Sequence, residues 1–151
     1  MVAPDRRAAT GRGQWADVDT LRYKAAGSAP FRDITRQLLF DDPQLACQLR
    51  YFEVAAGGFS TLERHEHLHA VMILNGRGHC LIGDTVHAVA ERDLIRIGPL
   101  QWHQFRADQG EPLGFLCMVN AVRDRPQLPS AQELAALESN PSVAAFLRAD
   151  G

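Results

Sequence analysis

Three histidines and two glutamates fall within seven residues of this chain, between Glu63 and His69. Side chains on a strand point alternately to its two faces. In an extended chain one face would therefore carry four of these residues: Glu63, His65, His67 and His69. Neutral imidazole nitrogens and carboxylate oxygens are the usual ligands of zinc, manganese, iron and nickel. The pattern therefore predicts a metal site, and the simpler alternative is a solvated surface strand.

The composition of the chain narrows the classes of protein to consider. Its 151 residues suit one domain with a sizeable core, and a formal net charge of −2 gives no reason to expect nucleic acid as a partner. No apolar run approaches the roughly 20 residues needed to span a bilayer, and the N-terminus lacks the apolar core of a secretory signal. Three cysteines without CxxC spacing favour free thiols in a reducing cytoplasm.

Short apolar or alternating segments, separated by turn signals, make up most of the chain after the first 29 residues. They lie at residues 30–40, 48–54, 70–74, 79–82, 85–89, 94–97, 102–106 and 113–121. Asn75-Gly76 predicts a hairpin between two of these segments, and Gly83-Asp84 predicts a turn. Many short strands with turn signals roughly every eight to twelve residues indicate an all-β barrel or sandwich.

The two ends of the chain differ from this pattern. The sequence predicts a flexible N-terminal segment over residues 1–29, a barrel over 30–125 and a helical tail over 126–151. In the tail, Ser130 and Glu133 have the spacing of a capping box, which starts a helix. Asn140-Pro141 interrupts that helix, and a second short helix is expected to follow it.

The order of these features resembles the cupins, which are small double-stranded β-helix (jelly-roll) barrels. The first cupin motif, G-x5-H-x-H-x3/4-E-x6-G, fits from Gly57 to Gly76, with Glu and His exchanged at two ligand positions. The second motif, G-x5-P-x-G-x2-H-x3-N, fits loosely from Arg92 to His103. The resemblance covers about residues 31–122 and implies a cupin barrel, with the short C-terminal helices on its exterior.

The resemblance also implies a metal ion held by four side chains: Glu63, His65, His69 and His103. An alternative set takes His67 in place of Glu63. Positions 63 and 69 would lie roughly 20 Å apart on a straight strand, so a shared ion requires a bend over residues 66–68. Three imidazoles and one carboxylate suit manganese, iron, nickel or zinc, and the carboxylate favours manganese or iron.

Four strings of the sequence resemble a narrower group, the bacterial cupins of the methionine-salvage shunt: STLERHEHLHAVMILNGRGH, WHQFRA, GFLCMVNA and RDRPQLP. This resemblance implies a manganese-dependent enzyme acting on a phosphorylated sugar. The implied reaction moves the methylthio group of methylthioxylulose 5-phosphate to glutathione and leaves deoxyxylulose 5-phosphate. The alternatives are another metal-dependent cupin enzyme (an oxygenase, isomerase or lyase) and a non-catalytic cupin that binds a small molecule.

Cys117 is the candidate catalytic residue for such sulfur chemistry. Its thiol would enter the barrel if Phe115, Cys117 and Val119 point inward, although a cysteine of this kind is commonly only a small buried apolar residue. A phosphate group also needs cations, and the candidates are Lys24, Arg50, Arg96 and Arg106.

The segment 70–74 is apolar on both faces, whereas a barrel strand with one wet face should alternate. Ala70, Met72 and Leu74 would then face outward and need cover. The sequence therefore predicts a homodimer, with the chain's own N-terminal segment supplying part of the cover.

Overall fold

Ten strands and two helices make up the computed structural model, which describes residues 4–149. The strands are β1 (Ala9–Gly11), β2 (Gln14–Trp15), β3 (Leu21–Arg22), β4 (Arg32–Phe40), β5 (Cys47–Phe59), β6 (His69–Ile82), β7 (Thr85–Ala90), β8 (Leu94–Ile97), β9 (His103–Ala107) and β10 (Leu113–Asn120). The helices are α1 (Ala131–Glu138) and α2 (Pro141–Arg148). This confirms the predicted all-β barrel with short C-terminal helices.

One antiparallel sheet of eight strands forms the barrel. Its strand order is β10-β6-β9-β5-β4-β3, with β7 and β8 also paired to β6. The barrel closes because β10 pairs with β5 on one side and β6 on the other. In the described residues β1 and β2 form a separate pair. The closing pairings set β6, β10, β5 and β4 side by side, and the inner face of these four strands carries most of the residues discussed below.

The barrel interior is filled by side chains that alternate along each strand. In β10, Phe115, Cys117 and Val119 are buried and Met118 between them is exposed, which confirms the predicted inward face. The rings of Phe105 and Phe115 stack with centroids 4.2 Å apart. The apolar filling is interrupted beside the start of β6, where the histidines lie.

The hairpin predicted at Asn75-Gly76 is wrong, because β6 continues through it. Gly76 has a φ of 76°, and a Cβ at this position would collide with the carbonyl oxygen of Pro112. The residues before this point pair with β8 and those after it pair with β7 and β9. Glycine is needed here because β6 changes partners at a close approach of another backbone.

The histidine-rich stretch is a bend rather than the strand that its alternation predicts. Glu63 and Arg64 make isolated bridges, the chain bends at Glu66 and His67, and β6 begins at His69. The bend required by the cupin ligand spacing is therefore present. Local alternation predicts the wrong conformation here because the backbone N–H groups of the bend donate to a distant carboxylate instead of to a sheet partner.

The N-terminal segment, expected to be flexible, contains β1, β2 and β3. β3 pairs with β4 at the edge of the sheet, and the amide of Gln37 donates to the carbonyl of Gly13 over 2.8 Å. Residues 1–3 and 150–151 lie outside the described residues. The division of the chain at residues 30 and 126 stays a prediction.

The C-terminal helices begin where the sequence predicts. The Ser130 hydroxyl accepts from the N–H of Glu133 over 3.1 Å, and the Glu133 carboxylate accepts from the N–H of Ser130 over 3.0 Å. Asn140 caps α2 in a similar way. Neither helix is long and apolar enough to cross a membrane, and this holds for every helix in residues 4–149.

Candidate metal centre

A cavity of about 300 Å³ lies inside the barrel beside the start of β6. This is at the lower end of the usual size of small-molecule sites. One part of its wall is apolar and includes Ile34, Phe52 and Phe115. The rest is polar and carries four of the six histidines of the chain. A small polar ligand can therefore be enclosed while its reacting end faces imidazoles.

Three of these histidines converge on one point. His65, His69 and His103 each offer a ring nitrogen, and these nitrogens all lie within 4.8 Å of one another. The two Nε2 atoms of His65 and His69 are 2.9 Å apart. Ligands with metal–nitrogen bonds of about 2.0–2.1 Å that meet at a right angle lie about 2.8–3.0 Å apart. This spacing fits two imidazoles that share one ion.

Hydrogen bonds fix which nitrogen of each ring is free. Nδ1 of His65 lies 2.7 Å from the carbonyl oxygen of His67, and Nδ1 of His103 lies 2.9 Å from that of Gln101. A carbonyl oxygen only accepts, so each Nδ1 carries the hydrogen and donates it. The lone pairs then remain on Nε2, as in protein metal sites where the second ring nitrogen donates to a carbonyl.

The three imidazoles are neutral at physiological pH. Burial, with a smaller contribution from His103, lowers the pKa of His65 to about 4 and that of His69 to about 2. Burial also lowers the pKa of His103. Only the neutral ring can ligate a cation. The three histidines therefore suit a divalent metal ion both in position and in charge state.

Glu63 and His67, the two candidates for a fourth ligand, have different surroundings. Glu63 is buried, its Oε2 lies 3.9 Å from Nε2 of His65, and its Oε1 accepts from the ammonium of Lys24. The His67 ring stacks flat on that of His65 with centroids 3.6 Å apart, and its Nδ1 lies 2.7 Å from Oδ1 of Asp124. The structure thus brings Glu63 to the atom of His65 that faces His69, whereas His67 is engaged with Asp124.

Asp124, which was not among the expected site residues, holds the bend that presents these residues. Its carboxylate accepts from the N–H groups of Glu66 and His67 over 2.8 and 3.0 Å. The bond from Glu66 is the largest cause that holds the pKa of Asp124 well below its usual range. Asp124 lies 57 residues from His67 in the sequence, so no local pattern reveals their contact. Asp124 itself belongs to the RDRPQLP string named above.

The thiol of Cys117 reaches the same centre from β10. Its Sγ lies 2.8 Å from Nδ1 of His69, and Cys117 faces Arg50 across the β10–β5 pairing. Burial raises the pKa of Cys117, and the guanidinium of Arg50 opposes that shift. Burial therefore disfavours the thiolate, while the cation and the imidazole beside it favour it.

The cations expected at the site divide into two groups. Lys24 and Arg50 line the cavity. Arg96 is exposed on β8, and Arg106 donates to the carbonyl oxygens of Leu147 and Ala149 at the end of α2. Two further arginines, which were not among the expected cations, also line the cavity: Arg36 and Arg123. Alternation along β4 could have indicated Arg36, because it lies two residues after Ile34, but no local signal marks Arg123.

Comparison with known proteins agrees with this geometry. Residues 50–119 match the protein family described as Cupin domain. The chain is 60% identical over 134 residues to the 1-methylthio-D-xylulose 5-phosphate methylsulfurylase of Rhodospirillum rubrum, which covers 89% of this chain and 86% of that protein. The chain belongs to the cupin family. The three buried histidines of this cupin form a set that could hold a metal ion.

Two solved structures share both the sequence and the shape of this cupin. A cupin 2 conserved barrel domain protein from Rhodopseudomonas palustris is 57% identical, with a TM-score of 0.89, over 93% of this chain and 97% of that one. A cupin-2 domain protein from Rhodospirillum rubrum is 56% identical, with a TM-score of 0.85, over 96% of this chain and 97% of that one. The cupin barrel is thus seen in crystals of similar chains.

Proposed function

We propose that this cupin is a metal-dependent enzyme that transfers the methylthio group of methylthioxylulose 5-phosphate to glutathione and releases deoxyxylulose 5-phosphate. The observation that carries the proposal is the 60% identity, across 89% of the chain, to a relative named for this substrate. The enclosed site adds three converging imidazoles and an adjacent thiol, which are groups that this reaction can use.

The proposed ligands are Glu63, His65, His69 and His103, with His67 as the alternative to Glu63. The free Nε2 atoms and the buried Glu63 carboxylate beside His65 support this set. Three imidazoles with one hard carboxylate suit manganese, and iron, nickel and zinc are the other candidates. When bound there, the ion supplies a Lewis acid for the ketone oxygen of the sugar.

The reaction balances without an external oxidant. A thiolate attacks the methylthio sulfur, a sulfur–sulfur bond forms, and the bond from that sulfur to the first carbon of the sugar breaks. The electron pair of the broken bond goes to this carbon, which then gains a proton and becomes a methyl group. The carbon is reduced, the glutathione thiol is oxidised to a mixed disulfide with the methylthio group, and the thiol proton accounts for the proton gained.

We further propose Cys117 as the catalytic thiol that attacks first. Its sulfur would form a protein-bound methylthio disulfide, and glutathione would then attack that disulfide and free Cys117. The Nδ1–H of His69 and the guanidinium of Arg50 are the groups that stabilise a thiolate there against its burial. In the competing route glutathione attacks the substrate directly and Cys117 only lines the cavity.

Glutathione as co-substrate places the proposed reaction in the cytoplasm, where thiols stay reduced. The cysteines of this chain fit that setting, since Cys47, Cys80 and Cys117 are all free.

The outer face of the barrel supports the proposal of a homodimer. Met72 pairs with Leu94 and Met118 pairs with Ala70. The side chains of Met72, Leu94 and Met118 are 39%, 75% and 50% exposed. We call these four residues the outer apolar patch. A second copy of the chain covering this patch would remove its apolar side chains from water.

Turnover with defined metals tests the proposed function. Protein stripped with a chelator and then reloaded with manganese, iron, nickel or zinc is incubated with methylthioxylulose 5-phosphate, with and without glutathione. Repeated turnover to deoxyxylulose 5-phosphate should require both a metal and glutathione, and without glutathione at most one equivalent per protein should form, as Cys117 takes up the methylthio group. Oxygen consumption, an isomerised sugar or binding without any product would instead assign the chain to another class of cupin.

A further inference from the structure

The cavity carries more positive than negative charge. Its lining includes Lys24 and three arginines, Arg36, Arg50 and Arg123, but only the carboxylates of Glu63 and Asp124. Lys24 is paired with Glu63, and Asp124 is engaged by the bend and by His67. Within residues 4–149 no carboxylate lies at ion-pair distance from any of the three arginines. We call these three residues the arginine cluster.

The strands and their register aim the arginine cluster at one region. Arg50 on β5 lies directly opposite Cys117 on β10. Arg36 on β4 pairs with Phe52, the next inward residue of β5 after Arg50. Arg123 follows the end of β10, where its Nη1 donates to the side chain of Gln48 and to the carbonyl oxygen of Asn120 over 2.9 and 3.0 Å. Neutral acceptors therefore hold Arg123 in place.

Arg50 has a donor left without a partner. Its guanidinium carbon lies 5.0 Å from the centre of the Phe52 ring. Its Nε is buried and makes no hydrogen bond to any of the described residues. A buried donor without an acceptor is costly, and a bound ion or water is one of the partners that can complete such a group. An anionic oxygen inside the cavity would satisfy this donor.

Like charges are crowded in the arginine cluster. Burial, followed by the charge of Arg50 and to a smaller extent that of Arg36, lowers the pKa of Arg123. The nearby charge of Asp41 acts in the opposite direction but forms no ion pair with it. Guanidinium groups are planar forks that bind phosphate oxygens in pairs. Three of them line one cavity, with Arg36 and Arg50 half-buried and Arg123 exposed, and together they make a site for a dianion.

We propose that Arg36, Arg50 and Arg123 bind the phosphate group of a sugar phosphate whose carbonyl end faces His65, His69 and His103. This inference rests on the proposed function for the identity of the sugar. The strand order β6-β10-β5-β4 sets Arg50 two interstrand spacings, roughly 10 Å, from the strand of His69. The side chains of the arginine cluster and of the histidines reach inward from both sides, which shortens the distance between them. A five-carbon sugar can therefore bridge the arginine cluster and the histidines, and Cys117 lies on the strand between them.

Binding measurements separate the phosphate from the rest of the ligand. The probes are xylulose 5-phosphate and xylulose, which lack the methylthio group and so cannot react. Titration calorimetry on the metal-loaded protein compares the wild type with Arg36→Gln, Arg50→Gln and Arg123→Gln. Arg77→Gln is the matched control, because Arg77 lies on the outside with a side chain that is 73% exposed.

The wild type should bind xylulose 5-phosphate at least about a hundredfold more tightly than xylulose, and each cluster variant should lose about tenfold or more of that preference. Arg77→Gln should keep it. Circular dichroism and metal content check that each variant is folded and loaded. Equal affinity of the wild type for the two sugars, undetectable binding of xylulose 5-phosphate, or variants that keep the full preference would overturn the inference.

Steady-state kinetics then distinguish the substrate phosphate from the carboxylates of glutathione. The cluster variants should raise the KM for methylthioxylulose 5-phosphate about tenfold or more and leave the KM for glutathione unchanged. A rise in the glutathione KM alone would assign the arginine cluster to glutathione and contradict the inference. If methylthioxylulose 5-phosphate does not react at all but xylulose 5-phosphate binds through the cluster, the proposed function fails and the phosphate site stands.

Discussion

Sγ of Cys117 lies 2.8 Å from Nδ1 of His69, whose Nε2 in turn lies 2.9 Å from Nε2 of His65. The thiol is therefore separated from the proposed metal position by a single imidazole ring. A hydrogen bond from Nδ1 to the sulfur would both orient the ring and stabilise negative charge on Cys117. This relationship joins the metal-binding residues and the sulfur chemistry in one site.

Replacing Cys117 tests whether its thiol reacts. Cys117→Ser keeps the shape but not the nucleophilic sulfur, so turnover should fall at least about a hundredfold while metal content and fold are retained. Cys80→Ser is the control, because Cys80 is buried on β6, is not part of the cavity lining, and has a pKa raised to about 12 by burial. This control should remain active.

Mass spectrometry gives a second measure of the same step. After one turnover without glutathione, the wild-type protein should carry one added methylthio group on Cys117. Unmodified protein together with a fully active Cys117→Ser variant would remove Cys117 from the chemistry and leave direct attack by glutathione.

Single substitutions at the three histidines should abolish stoichiometric metal. His65→Ala, His69→Ala and His103→Ala each remove one of the converging nitrogens, while the sheet is held together by other residues. Metal content by elemental analysis and the β-sheet signal in circular dichroism are the measurements. Full metal content in all three variants would place the site elsewhere in the chain.

The fourth ligand is tested by comparing Glu63→Gln with His67→Gln. We expect Glu63→Gln to lose more metal affinity, because the Glu63 carboxylate lies beside Nε2 of His65 whereas His67 is engaged with Asp124. A larger loss in His67→Gln would show that His67 is the ligand.

Asp124 should affect metal binding without touching the ion. Asp124→Ala removes the acceptor for two backbone N–H groups of the bend and for Nδ1 of His67. Residues that orient metal ligands typically change affinity by about 10–100-fold when mutated, and we expect a loss in that range. Asp108→Ala is the matched control, since Asp108 makes a similar contact with His79 at the surface. Equal metal affinity in the two variants would contradict this role for Asp124.

The fold was predictable wherever local patterns decide the structure. Residues 94–97 form β8 as predicted, and the Ser130 capping box starts α1. In both places the local sequence and the final contacts agree. The ligand types and the cupin resemblance likewise selected His65, His69 and His103, and the structure brings their ring nitrogens within 4.8 Å of one another.

Long-range contacts decide the features that local patterns missed. Asn75-Gly76 has the composition of a hairpin, but the carbonyl of Pro112 and a change of strand partners make it a kink within β6. Arg123 joins the cavity only because β10 closes the barrel against β5. Contacts of this kind depend on which strands become neighbours, and the sequence of a single segment does not determine that strand order.

The outer apolar patch predicts a dimer that a single charge can disrupt. The wild type should be dimeric by light scattering at micromolar concentration, and Leu94→Glu should be largely monomeric because it places a carboxylate in the centre of an apolar contact. Leu45→Glu is the control, since Leu45 is 50% exposed in the connection between β4 and β5. A wild type that is strictly monomeric would exclude the dimer.

Product stoichiometry in heavy water tests the central claim most directly. Manganese-loaded protein is incubated in D2O with methylthioxylulose 5-phosphate and glutathione, and products are followed by NMR and mass spectrometry. Deoxyxylulose 5-phosphate and the glutathione methylthio disulfide should form in equal amounts, with one deuterium in each new methyl group. A product that retains the methylthio group, or deoxyxylulose 5-phosphate formed without consuming glutathione, would contradict methylthio transfer to glutathione as the function of this cupin.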